Sequence, residues 1–309
     1  MTSVVVFAYH DVGVKCLSVL LAHGVKVAMV VTHEDNPAET IWFDSVAKLA
    51  AVHHVPTIAP DDPNAPDVVE RIRALEADFL FSFYYRNMLK PALLCLPRYG
   101  ALNMHGSLLP KYRGRVPVNW AVIRGETETG ATLHYMTAKP DAGDIVAQRA
   151  VPILPDETAA EVMHKVAAAA AALLDKILPS LIAGTSPRVP QDPAQGAYFG
   201  GRKPADGLID WRRTAREVHN LVRGVAPPYP GAFTMLGGKT LKILRTQPAA
   251  GAPPGITPAI YSDGTNCMAA CADGSLLRIL AMEYDGRSCS AADFLAQFGA
   301  APIPLEAAQ

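Results

Sequence analysis

Residues 4–32, VVVFAYHDVGVKCLSVLLAHGVKVAMVVT, decide the fold. Val4 to Tyr9 is a short continuous apolar run and Val25 to Thr32 is a second; between them Leu17, Leu20 and Leu21 recur at helical spacing and stop at Gly24. That order is a β-α-β unit. Strands that are apolar throughout, rather than alternating with polar residues, predict a parallel sheet covered on both faces. No G-x-G-x-x-G follows the first strand. Ala8-Tyr9-His10-Asp11-Val12-Gly13 stands there instead, so the dinucleotide fingerprint is absent and a hydride-transfer reading has little support.

Outward from this unit the alternation continues. Ser45 to His53 and Asp67 to Glu76 read as helices, and Thr57 to Ala59, Phe79 to Phe83 and Gly100 to Met104 as strands. The expected fold is α/β: a doubly wound, mostly parallel, Rossmann-like sheet whose ligands lie beyond the carboxyl ends of its strands. By that rule His10, Tyr84 to Leu89, and Asn103 to Arg115 face one crevice. Leu133 to Met136 and Ile145 to Val151 read as a hairpin, and Glu157 to Leu181 as a long helix that Pro179 can only end or kink. From Ala183 to Gly207 the chain turns rich in Pro, Gly and small polar residues, the texture of a linker. Beyond it one helix, Thr214 to Val225, precedes short strands at 232–236, 240–244, 255–261, 267–271 and 276–282. Gly237-Gly238, Asp263-Gly264 and Asp273-Gly274 punctuate them, which predicts a small, OB-like β-barrel. The expected division is a catalytic domain over residues 1–190, a linker over 191–206 and the barrel over 207–309.

With 309 residues the chain is long enough for two domains. Half of its residues are hydrophobic and 18% are charged, which excludes disorder; no apolar run reaches the roughly 20 residues of a membrane span. The N-terminus enters a strand directly, without the pattern of a signal peptide, and the expected location is cytoplasmic. Five scattered cysteines without a His partner read as reduced thiols, and no metal is expected. A formal net charge of −1 supplies no global field for nucleic acid or an acidic membrane.

The chemistry gathers between Gly100 and Asp144, GALNMHGSLLPKYRGRVPVNWAVIRGETETGATLHYMTAKPDAGD. In a strand alternate side chains share a face, so Asn103 and His105 project together. Asp141 arrives on the Lys139-Pro140-Asp141-Ala142-Gly143-Asp144 loop. A carboxylate beside an imidazole fixes its tautomer and favours its protonated form. An amide donor, an imidazole and a carboxylate are the equipment for stabilising an oxyanion and moving protons. Taken singly, His105 as a turn residue and Asn103 as a loop former are equally good readings.

Several ordered stretches resemble the folate-dependent formyltransferase family: FSFYYR at 81–86, Asn103 and His105 followed by GSLLPKYRG, TGATLH from Thr129, PDAGDIVAQ from Pro140, and PPYPGAF at 227–233. FAYHD at 7–11 and THEDNP at 32–37 are most similar to the branch that formylates UDP-4-amino-4-deoxy-L-arabinose, a step of lipid A modification linked to polymyxin resistance. The resemblance implies 10-formyltetrahydrofolate as donor, an amine on a sugar nucleotide as acceptor, and Asn103, His105 and Asp141 as the catalytic set. It places the folate near Asn87, Met88, Leu89, Arg115 and the loop Thr137, Ala138, Lys139 and Pro140, with no metal. In that branch a decarboxylating dehydrogenase domain accompanies the formyltransferase; the sequence stops at Gln309 without one, which leaves room for a separate partner chain. Formylation of methionyl-tRNA is the alternative. Against it, residues 200–309 hold eleven Lys or Arg and nine Asp or Glu, a thin excess for a polyanion.

Overall fold

The computed structural model describes residues 1–37, 39–253 and 255–305. Two compact units divide the chain. One comprises residues 1–117, 128–152 and 163–200; the other comprises 118–127, 153–162 and the chain from 201 onward. No helix among the described residues is long and apolar enough to cross a membrane.

The first unit is built on a seven-stranded sheet. In chain order its elements are β1 (Ser3–Ala8), α1 (His10–Ala22), β2 (Lys26–Val31), α2 (Val46–Val52), β3 (Thr57–Ile58), α3 (Pro66–Arg73), β4 (Phe79–Phe83), α4 (Pro91–Leu94), β5 (Ala101–His105), β6 (Arg113–Gly114), β7 (Glu128–Tyr135) and β8 (Ile145–Pro152); between β6 and β7 the chain passes through α5 (Pro117–Ile123), which from Val118 belongs to the second unit. The sheet order is β3-β2-β1-β4-β5-β7-β8. From β3 to β5 all neighbours are parallel, while β7 and β8 add an antiparallel edge. β4 is buried along its whole length and β1 is buried beyond Ser3, as strands covered on both faces must be. The order reverses between β1 and β4. In open α/β sheets ligands bind at such a point, here beyond the carboxyl ends of β1 and β4 and of the adjoining β5.

α1 begins at His10, one residue beyond β1, with the extended Tyr9 as its N-cap. Asp11 occupies its first turn, where a carboxylate is favoured by the helix dipole. α6 (Ala159–Ile182) runs through Pro179 and ends three residues later. The carbonyl that proline leaves unbonded is that of Asp175, an exposed residue, so water can satisfy it. A short parallel pair, β6 with β9 (Tyr198–Phe199), completes the unit.

The second unit contains α7 (Ala215–Val225) and a curled antiparallel sheet, a half-barrel. Its strands are β10 (Ala232–Leu236), β11 (Lys239–Ala249), β12 (Ala259–Ser262), β13 (Cys267–Ala270), β14 (Leu276–Tyr284), β15 (Arg287–Ser288) and β16 (Ile303–Pro304), with α8 (Ala291–Phe298) before the last. The order β10-β11-β14-β13-β12-β16 is an open path. Register shifts around Arg245 bend the long β11–β14 pair, which is how a sheet acquires curl. Trp211 is fully buried in this core and donates to Thr234.

Within this unit α7 holds residues 153–157 through polar side chains. The Arg223 guanidinium donates to Asn220 Oδ1 at 2.9 Å and to the carbonyls of Leu154 and Glu157, each at 3.2 Å. Asn119 donates to the Gly224 carbonyl at 2.9 Å. Removing Arg223, which is 6% exposed, strips charge-assisted bonds from groups that stay buried. Arg223→Ala is expected to lower the unfolding free energy by about 2–4 kcal/mol. Urea titration checks this; a loss below about 0.5 kcal/mol assigns the bonds no structural role.

Candidate active site

β5 ends in Asn103-Met104-His105, and the pleat sets Asn103 and His105 on one face of the sheet. The loop from Met136 to Asp144 after β7 returns over that face and delivers Asp141. Three contacts hold the loop: Tyr135 N to Asp144 O at 2.9 Å, Met136 N to Ala101 O at 2.8 Å, and Gln191 Nε2 to Gly143 O at 2.6 Å. Asp141 Oδ2 accepts from the Gly114 amide at 2.8 Å. Its other oxygen lies 3.5 Å from Asn103 Nδ2, 3.5 Å from His105 Nδ1 and 3.5 Å from His134 Nε2. The structure thus brings the three predicted residues to one carboxylate oxygen. None of these contacts is a tight hydrogen bond, and each can shorten when charge develops.

The hydrogen bonds set the tautomers. His105 Nε2 faces the Tyr112 carbonyl at 2.8 Å and must donate to it, so the neutral ring presents its lone pair at Nδ1, toward Asp141. His134 Nδ1 faces the Tyr135 carbonyl at 2.8 Å and donates likewise, which leaves Nε2 to accept from the Asn103 amide at 3.2 Å. Asn103 therefore has its oxygen and nitrogen assigned by a buried imidazole.

Burial lowers the pKa of His105, and the opposing charge of Asp141 does not overcome it. The resting ring is neutral rather than protonated, contrary to the expectation that Asp141 would favour imidazolium. At 6% exposure the ring loses more hydration than one carboxylate at 3.5 Å restores. For Asp141 burial presses the pKa upward, yet the positive charge that His105 and His134 take on when protonated, together with the Gly114 amide, outweighs it and holds the carboxyl well below the usual carboxylate range. The site holds an ionised Asp141 and a base-competent His105.

The residues expected to hold a folate fall on two loops, with Arg115 on a third segment between β6 and α5. Asn87 and Met88 are exposed and Leu89 is buried. Asn64 anchors their loop by donating to the Met88 carbonyl at 2.9 Å and accepting from the Lys90 amide at 2.7 Å. Asn87 donates to the Asp61 carbonyl at 3.3 Å, and the Arg115 guanidinium to the Arg86 carbonyl at 3.3 Å. On the second loop Thr137, Ala138 and Lys139 are exposed, Pro140 is half-buried, and Thr137 donates to the Lys139 carbonyl. Leu89 shares one apolar cluster with Leu94 and Met136. A cleft of about 360 Å³ opens at the amino end of β5, lined by Leu94, Tyr99, Ala101, Tyr135, Thr137 and Arg188 among others. Of the expected folate residues only Thr137 reaches it, and the Asn103–His105–Asp141 group lies outside.

Sequence reasoning did not single out His134, Gly114, the Tyr112 carbonyl or Gln191. His134 stands directly opposite Asn103 in the antiparallel register of β5 with β7. The other three act through backbone atoms or across a long sequence gap, which side-chain patterns do not reveal. Among the described residues no group of three or more His, Cys, Asp or Glu could hold a metal ion.

A family model described as formyl transferase matches residues 11–178, and another, formyl transferase C-terminal domain, matches residues 202–299. Among solved structures the chain is similar to an N-formyltransferase from Helicobacter canadensis in complex with folinic acid and dTDP-3-aminofucose. Identity is 20% and the TM-score 0.71, over 90% of this chain and 99% of that one. WlaRD, a sugar 3N-formyl transferase solved with dTDP and 5-N-formyl-THF, is 18% identical with a TM-score of 0.69, over 90% and 97%. HypX from Aquifex aeolicus in complex with tetrahydrofolic acid is 16% identical with a TM-score of 0.63, over 98% of this chain and 48% of that one. These are likenesses of fold; the family follows from the two models, the first of which alone spans more than half of the sequence, and the chain belongs to the formyl transferase family.

Proposed function

We propose that this chain moves a formyl group from 10-formyltetrahydrofolate to the amine of a nucleotide-linked aminosugar, UDP-4-amino-4-deoxy-L-arabinose, with Asn103, His105 and Asp141 as catalytic residues. The carrying observation is the convergence of those side chains on one carboxylate oxygen, at 3.5 Å each from Asn103 and His105. Asn103 can turn its loosely held N–H from Asp141 to the oxyanion that forms when the amine attacks the formyl carbon. His105 takes the proton of the attacking amine at Nδ1, its Nε2–H remaining on the Tyr112 carbonyl. Asp141 then faces an imidazolium at close range and stabilises it, and the same proton can be passed to the departing folate nitrogen. The backbones of the 87–89 and 137–140 loops offer polar partners for the folate ring. Among fold neighbours, two were solved with a formylated folate together with dTDP or a dTDP-aminosugar.

The charge distribution favours a sugar nucleotide over tRNA. Between β2 and α2 the chain carries Glu34, Asp35, Glu39 and Asp44, which repel a polyanion. Of the basic residues after position 200, Arg212 pairs with Asp210 at 2.7 Å, and Arg213 reaches both Asp210 and Glu217. A nucleotide diphosphate needs only one or two cations. Supplied with 10-formyltetrahydrofolate, the protein is expected to formylate a UDP- or dTDP-aminosugar, fastest with UDP-4-amino-4-deoxy-L-arabinose, and with a shallow salt dependence. Faster formylation of charged initiator tRNA, falling steeply with salt, replaces this reading with the tRNA one.

A further inference from the structure

Among the described residues eight that are not glycine hold a positive φ. His54, Glu76 and Asp285 sit in turns just after a helix or strand. The other five, His10, Tyr84, Tyr112, Val116 and Asp141, lie on the segments that build the crevice. Tyr112 and Asp141 face His105, and Val116 follows Arg115. His10, at φ 65, and Tyr84, at φ 58, have no part in the chemistry so far described. A left-handed backbone is costly under an aromatic side chain and persists where the surroundings impose it, characteristically at functional sites.

These two residues follow β1 and β4, the neighbouring strands at which the sheet order reverses. Their rings lie 6.1 Å apart, and the His10 ring also meets Phe43 at 4.2 Å and the edge of Trp42 at 4.8 Å. A Cβ added at Gly106 would collide with the Tyr84 hydroxyl, so that hydroxyl rests on the backbone next to His105. An aromatic surface thus runs from the catalytic strand to Trp42, and each of its four side chains is half-buried. His10 Nδ1 is buried with no hydrogen-bond partner among the described residues. Phosphate is not what this surface suits: the Asp11 carboxylate stands in the first turn of α1, accepting from the Asp44 amide at 2.9 Å, with Glu34, Asp35 and Glu39 on the same connection. Flat apolar faces beside one imidazole nitrogen without a partner suit a neutral ring that has C–H faces and hydroxyl edges.

We propose that His10, Trp42, Phe43 and Tyr84 form the wall against which the acceptor's pyranose ring rests, with His10 Nδ1 hydrogen-bonded to one of its hydroxyls. The proposal rests on the aminosugar reading above. It is tested by calorimetric titration of wild type, His10→Ala, Trp42→Ala and the milder Trp42→Phe with a UDP-aminosugar, with UDP and with folinic acid. The alanine variants are expected to bind the aminosugar nucleotide at least tenfold more weakly, with affinities for UDP and folinic acid within twofold of wild type. Unchanged aminosugar affinity in both alanine variants overturns the proposal. So does an equal loss for folinic acid in a variant whose circular dichroism matches wild type, because the wall then serves the donor. A wild-type protein that binds folinic acid but no sugar nucleotide overturns the functional reading itself, an outcome visible before any variant is compared.

Discussion

His105→Ala, Asn103→Ala and Asp141→Ala are each expected to lower turnover by at least about a hundredfold while leaving the fold intact. The expectation rests on geometry: one Asp141 oxygen faces both other side chains at 3.5 Å, so each residue works through its neighbours. Residues that act as a unit are not additive, so His105→Ala combined with Asp141→Ala should cost little more than the worse single change. Asp141→Asn is the sharper variant. It removes the charge that raises the His105 pKa against the lowering caused by burial, so the ring becomes a weaker base still. In the wild type, a pKa already lowered means that His105 stays neutral below the pH at which a free imidazole would charge. The acid limb of kcat/KM therefore belongs to the acceptor amine, which must be unprotonated to attack. Near-normal turnover in any single variant, with circular dichroism unchanged, removes that residue from the mechanism. An acid limb that moves in Asp141→Asn reassigns it to the imidazole.

What the sequence could reveal divides along a physical line. β1 and β4 were legible because a strand buried on both faces must be apolar nearly throughout, and the alternation of strands and helices predicted the doubly wound sheet. Asn103 and His105 were legible because the pleat has a period of two. The start of α1 was hidden, since His10-Asp11-Val12-Gly13 has no helical periodicity and helix begins there only because the chain turns on a left-handed His10. The resting charge of His105 was also hidden. Its sign depends on how completely the ring is buried, a tertiary quantity, and the sequence showed only the carboxylate that opposes it. Gln191 falls within the stretch expected to be linker, yet its amide donates to the carbonyls of Gly143 and, at 3.2 Å, Asp141, so part of that stretch helps to hold the loop that carries Asp141.

That loop makes Gly143 a position of large expected effect, although its atoms touch no reacting group. A Cβ added there would collide with the Tyr135 carbonyl oxygen and lie 2.9 Å from its carbon, backbone atoms that cannot rotate aside. Tyr135 is also fixed on its other side, since its carbonyl accepts from His134 and its amide donates to Asp144. The strand cannot yield, so the loop must. Asp141 lies two residues away, and a displacement of about 1 Å at a catalytic group can cost about a hundredfold. Gly143→Ala is accordingly expected to reduce turnover to within tenfold of the level of Asp141→Ala. Gly200→Ala, where an added methyl meets nothing within 4 Å, serves as control and should keep full activity. Because the displacement is confined to a short loop, of which Thr137, Ala138 and Lys139 are exposed, the thermal midpoint of Gly143→Ala should fall by only a few degrees, about what 1 kcal/mol produces in a chain of this size. Steady-state kinetics alongside a melting curve separates the outcomes. Full activity shows that the loop can move without carrying Asp141 with it, whereas a collapse of the melting transition makes Gly143 a folding requirement rather than a constraint on the carboxylate.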